Sequence, residues 1–208
     1  ISIKQKILHM NKTSSRRSVF LFFFLYSFTF GMIFPRIGDL QIQMNIGESY
    51  LGLALAGLPI GVQIALLLAD KILSILNFNS AVSLSISILG FFLFLASFSL
   101  EPWSFFIFLL LAGFAVGIVE VAVNIEADRV EYKFKKRIMN RSHSFWSLGF
   151  FSAGLLGAIF SQLKISPMNH FLFCFVLGVL LVCYFSKKYI AVPSRPTLNM
   201  KPSIFVFL

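Results

Sequence analysis

The sequence predicts an all-α membrane protein, a bundle of six transmembrane helices, and three observations carry that prediction. Only 12% of the 208 residues are charged while 58% are hydrophobic, against about a quarter charged in soluble domains. The 27 Phe residues are more than a soluble fold of this size can bury while keeping a wettable surface. The apolar residues also gather into six long runs separated by short polar links, for a mean hydropathy of +0.86. Helices follow because lipid offers no partner for unpaired backbone groups and the runs are too long for barrel strands.

The first run, Val19–Pro35, follows Arg16 and Arg17 as the core of a signal peptide would. It is long, however, and leads into Arg36, Gly38 and Asp39 instead of a small-residue cleavage site, so it reads as a span. Because Ile1 is not an initiator residue, Met10 is a candidate start. The second run, Leu51–Ala69, contains Pro59, which removes one backbone hydrogen bond and favours a kink. The third and fourth are Ala81–Leu100 and Trp103–Val123. A charged link, Arg129 to Asn140, then continues the fourth helix and turns into the fifth run, Phe145–Leu163. The sixth, Phe171–Phe185, is the shortest against the roughly 17–25 residues that a span requires. The expected organisation is a cytoplasmic N-terminal segment (1–17), a transmembrane domain (18–189) and a cytoplasmic linker (190–208). The three prolines after Tyr189 favour an unpacked linker over a seventh span.

The formal net charge is +10. In a soluble protein that would point to nucleic acid, but here the basic residues sit between apolar runs and read as topology. With the N-terminus inside, only Arg36 and Lys164 of the 18 Lys and Arg residues fall on the outer side. The positive-inside rule therefore places both termini in the cytoplasm. Cys174 and Cys183 lie nine residues apart in one run, about 13 Å along a helix, too far to bridge. No Cys or His cluster has metal-ligand spacing, and neither metal nor cofactor is expected. The sequence also lacks GxSxG, HExxH and a phosphate-cradling glycine loop, so no catalytic site is expected.

Small residues recur every four positions: Gly57 and Gly61, Gly113 and Gly117, and Gly149, Ala153 and Gly157. Such stripes let membrane helices approach closely. In the fourth run, Gly113, Gly117, Glu120 and Asn124 are spaced four, three and four, which places them on one helical face. A carboxyl group at membrane depth costs several kcal/mol if it is ionised and exposed to lipid, so it faces a cavity or partner or stays protonated. Two readings compete for Glu120: a proton carrier lining a cavity, or a carboxylate hydrated or base-paired at the helix end. Asn124, one turn on, is placed to bond a substrate hydroxyl or that carboxyl. Gln63, mid-way along the second run, is a second candidate for a polar cavity, or else an interhelical hydrogen bond. His143 reads as an interfacial residue beside Trp146. Glu126, Asp128, Arg129 and Glu131 are expected to pair with Lys and Arg across the cytoplasmic surface as a gate.

The stretches Val119–Glu131 and Ile138–Ala158 resemble the helix four to helix five region of major facilitator permeases, most closely the YbjJ-like permeases of the bacterial inner membrane. Glu120, Ala122 and Asn124 are similar to the E-x-A-x-N core of the fucose:proton symporters, and Arg36–Gly61 is similar to that family's helix one to helix two region. The resemblance covers most of Arg36–Leu163. It implies the N-terminal six-helix half of a twelve-helix fold, with a small polar solute such as a sugar bound between the halves. It also implies a proton-coupling role for Glu120, with a second six-helix half or a homodimer as partner. The family's Gly-x-x-x-Asp-Arg-x-Gly loop is altered. Ser74 and Ile75 replace the Asp and Arg, and Asn77, able to adopt the left-handed turn, replaces the last Gly. Taking Asp70–Lys71 as the charged pair instead puts Leu73 at the Gly. The alternative to a transporter is a non-transporting membrane protein, either a truncated remnant or an interaction partner.

Overall fold

A computed structural model describes the backbone of residues 3–193 and the side chains of residues 15–193. The described chain is helical throughout, with no strand: α1 Ile3–Gly31, α2 Ile37–Met44, α3 Glu48–Leu55, α4 Gly57–Ile75, α5 Phe78–Ala96, α6 Pro102–Phe134, α7 Met139–Gln162 and α8 Pro167–Lys188. Among the described residues, six helical segments are long and apolar enough to cross a membrane. This is a multi-pass membrane protein.

Every span but the third is longer than the apolar run that marks it, because helical hydrogen bonding continues past the hydrocarbon edge into polar sequence. The third, Phe78–Ala96, stops four residues short of Leu100. The first span does not end at Pro35. A 3₁₀ turn at Phe34–Arg36 accommodates that proline, and the helix resumes as α2 before Asn45 ends it in the left-handed conformation (φ 51°). The second span is interrupted at Ala56, between α3 and α4. Pro59 sits in the first turn of α4, where a missing N–H costs little because the first-turn N–H groups have no intrahelical partner. The Asn77 expectation is corrected. Its backbone is extended (φ −69°, ψ 159°), and its side chain caps α5 by accepting the Ser80 N–H at 2.9 Å. A cap of this kind contributes about 1 kcal/mol. Ser166 does the same for α8 through the Asn169 N–H at 3.3 Å. With Pro167 at its first position, α8 runs to 22 residues, long enough to span.

The helices pair reciprocally: α1 packs on α7, α6 on α4, and α5 on both α6 and α8. Exchanging spans one, two and three with four, five and six maps the first of these pairings onto the second. The exchanged spans cross in opposite directions, as two inverted three-helix units would. The small-residue stripes lie on spans two, four and five. A Cβ on Gly57 would meet the Phe106 carbonyl oxygen, one on Gly61 that of Leu110, and one on Gly113 that of Leu58. A Cβ on Gly149 would meet Ser27 and the Phe24 carbonyl, and one on Gly157 would meet Pro35. Lipid tails are as apolar as Leu, so these close approaches hold the helices together by dispersion. The centre of the bundle is α1 and α6. Their most apolar windows are 61% and 56% buried, against 22% for the second span and 17% for the fifth.

Residues beyond α8 also belong to the bundle. Tyr189 and Val192 are buried, the Tyr189 ring sits edge-on to Phe22 and Phe78, and Asn79 Nδ2 donates to its carbonyl at 2.8 Å. The segment expected to be an unpacked linker is therefore packed at its start. Residues 194–208 lie outside the described residues.

Candidate functional site

The polar face predicted on α6 is divided by its neighbours. Gly113 and Gly117 are covered by Leu58, Val62 and Ala65 of α4. Further along, Ala65 and Ala69 cluster with Ile118, with Val121 packed against them. That contact moves α4 to one side of the stripe and leaves Glu120 exposed and Asn124 half-buried.

Glu120 has one interhelical partner. Tyr26 on α1 donates its hydroxyl to Glu120 Oε2 at 3.3 Å. Tyr26 lies midway along the apolar run Val19–Pro35, which sets the carboxylate level with the middle of that run. Glu120 itself stands three residues from the end of its own run, Trp103–Val123. The two salt bridges among the described residues, Arg36–Asp39 and Arg129–Glu126, do not involve it. Asn124 Nδ2 donates to the Glu120 backbone carbonyl at 2.8 Å, which satisfies part of its amide within the helix and leaves its oxygen outward. Gln63 stands apart. It follows Gly61 by two positions, about 200° round the helix, so it points away from α6 and is exposed.

Beside Glu120 the structure adds a feature the sequence reading did not assign to the site, an aromatic wall shared by α1 and α7. Trp146 lies edge-on to Tyr26 with centroids 6.4 Å apart. Trp146 stacks on Phe150 at 5.4 Å, and Phe150 meets Phe34 at 5.1 Å. Trp146, Ser147, Phe150 and Gly154 line an open groove of about 530 Å³ along α7. His143, on the same helix, is exposed with its ring edge-on to Phe23 at 5.2 Å. A hydroxyl-bearing aromatic inside a phenylalanine run was the available signal for Tyr26. Trp146 gave none beyond its type.

Of the charged residues expected to pair across the cytoplasmic surface, Glu126 and Arg129 do pair, but Glu126 and Glu131 also bond inside the bundle. Glu126 is 0% exposed. Its Oε1 accepts the Tyr189 hydroxyl at 2.6 Å and the Val192 N–H at 2.8 Å, while Arg129, on the same helix, approaches Oε2 at 3.4 Å. Burial first, and then the Glu126 carboxylate, push the Tyr189 phenol above its ordinary value, so it remains a neutral donor. Glu131 accepts the Ile138 N–H, and the Met139 N–H at 2.7 Å. It thereby caps α7, behind the turn that Lys135 makes in the left-handed conformation.

At the opposite end, Arg36 is buried. It donates Nε to Asp39 at 2.6 Å and Nη2 to the Ile165 carbonyl at 2.7 Å, tying the α1–α2 turn to the α7–α8 connection. Buried His170 lies against Phe160 at 5.1 Å.

Compared with known proteins, the chain matches no family model, no curated sequence and no solved structure.

Proposed function

We propose that the chain is the N-terminal six-helix half of a major-facilitator-type secondary transporter, coupling a proton to a small polar solute such as a sugar. One observation carries the reading: an exposed carboxylate, Glu120, between the two central helices and level with Tyr26 midway along the first apolar run, beside that tyrosine's hydroxyl and a tryptophan. Leaving an ionised carboxylate there costs several kcal/mol unless a cavity or partner receives it. The reciprocal pairing expected of inverted three-helix units supports the same reading, since carriers of this kind bind at the mid-plane between repeats.

In this mechanism Glu120 is the proton carrier. Ionised, it is held by the Tyr26 hydroxyl. Protonated, it is neutral and becomes a donor to the solute. Asn124 supplies an outward amide oxygen to a solute hydroxyl, and the Trp146–Phe150 stack offers an apolar face for a sugar ring. Gln63 would line the cavity only from the edge of a second bundle, either a second six-helix half or another copy of this chain. The basic end, carrying Arg16, Arg17, Lys136, Arg137, Lys187 and Lys188, faces the cytoplasm in the inner membrane, with both termini there.

The test is uptake of candidate sugars into proteoliposomes under an imposed pH gradient. Gradient-dependent accumulation supports the reading. Its absence, from protein shown to be folded, favours a non-transporting membrane partner.

A further inference from the structure

The basic end carries a concavity of about 450 Å³ between the middle of α1 and the start of α7, and every ionisable side chain lining it is cationic: Arg16, Arg17, Lys136, Arg137 and Arg141. Two stretches of sequence, far apart in the chain, supply these groups. No acidic side chain is among those that line the cavity. Glu126 is committed to Tyr189 and Val192, and Glu131 to the backbone of Ile138 and Met139. Asp128 and Glu131 line a neighbouring depression, which they share with Lys136 and Arg137.

The floor is apolar. Phe20 and Phe145 stack in parallel with centroids 5.0 Å apart, and the Arg141 guanidinium lies over the Phe20 ring at 5.5 Å. Phe20 belongs to the first apolar run, whose buried side begins at Val19. The cavity therefore sits where hydrocarbon gives way to headgroups. A topological bias alone places cations at this end, but it does not gather five of them round one aromatic-floored cavity with no carboxylate in it.

We infer that this cavity is a binding site for the phosphate headgroup of an anionic phospholipid. Arginine is suited to it because its planar fork bonds phosphate oxygens in pairs, and basic pockets between transmembrane helices hold such headgroups. The shared chemistry is a phosphate ester. The membrane-level aromatic floor selects the lipid over a free anion, because the first acyl carbons would lie along Phe20 and Phe145. The site is independent of the transport reading.

The test is native mass spectrometry of the full chain in detergent, incubated with phosphatidylglycerol or phosphatidylcholine. The wild type is expected to retain phosphatidylglycerol at least about tenfold better. Each Lys or Arg near a charged headgroup is worth about one factor of five, so R17Q/R137Q/R141Q should lose on the order of a hundredfold. K71Q/K133Q/K187Q, which removes the same charge elsewhere, should retain binding. Unchanged melting temperatures show that both variants are folded. Equal loss in both triples would overturn the site in favour of diffuse charge. Displacement of phosphatidylglycerol by millimolar inorganic phosphate would overturn the lipid in favour of a free anion. Equal retention of the two lipids by the wild type would overturn both.

Discussion

Glu120 and Glu126 stand six residues apart on α6, about 240° round the helix, and the bundle treats them in opposite ways. Glu126 turns inward, is fully buried, and accepts from Tyr189, Val192 and Arg129. Glu120 turns to the open face and holds a single 3.3 Å bond from Tyr26. A buried carboxylate with its acceptor sites filled fixes structure, because removing it strands the donors around it. A carboxylate left open on a spanning helix does little for the packing and remains available to a proton or a solute. The difference lies in the surroundings, since the residue type is the same.

The largest effect that separates the two is on stability. Glu126→Ala unpairs the Tyr189 hydroxyl and the Val192 N–H and should cost about 3 kcal/mol, or roughly 10 °C in melting temperature, read by thermal unfolding in detergent. A smaller loss would place Glu126 nearer to Glu120 in kind. Next comes the packing that opens the face. Gly61→Leu drives a side chain into the Leu110 carbonyl and should cost about 2 kcal/mol, with α4 displaced from α6. Cross-linking between cysteines placed on those helices would report that displacement. Tyr26→Phe removes one interhelical hydrogen bond, worth about 0.6 kcal/mol on average in membrane bundles, and the same melting assay would register little change. Glu120→Gln is the smallest, within about 0.5 kcal/mol. A large destabilisation there would make Glu120 a structural residue and end the contrast.

Much of the bundle was legible from the chain alone because lipid imposes a simple rule on sequence. Six apolar runs marked six spans, and glycines four apart marked the faces where α4 meets α6 and α7 meets α1. Glu120 was legible as an anomaly, a carboxylate in a run of Val, Ala and Ile. What surrounds it was not. Tyr26 sits among seven nearby phenylalanines from Phe20 to Phe34, and only the crossing of α1 and α6 shows that its hydroxyl reaches a carboxylate ninety-four residues away. Glu126 looked like surface charge because it lies in the polar stretch EADRVE. Its burial depends on the chain returning after α8 to lay Tyr189 and Val192 against it. Asn77 took a helix cap in place of a left-handed turn, since the Ser80 N–H opening α5 lies within its reach. Gln63 shows the limit of reading polarity one residue at a time, because its helix turns it away from the pair it seemed to match.

The most direct measurement compares the wild type with Glu120→Gln in proteoliposomes, following both accumulation of the solute under a pH gradient and its exchange across the membrane without one. The account predicts that the variant loses gradient-driven accumulation while remaining folded and still exchanging solute, because the proton carrier is gone and the binding face is not. Accumulation equal to the wild type would contradict it and remove Glu120 from the coupling step.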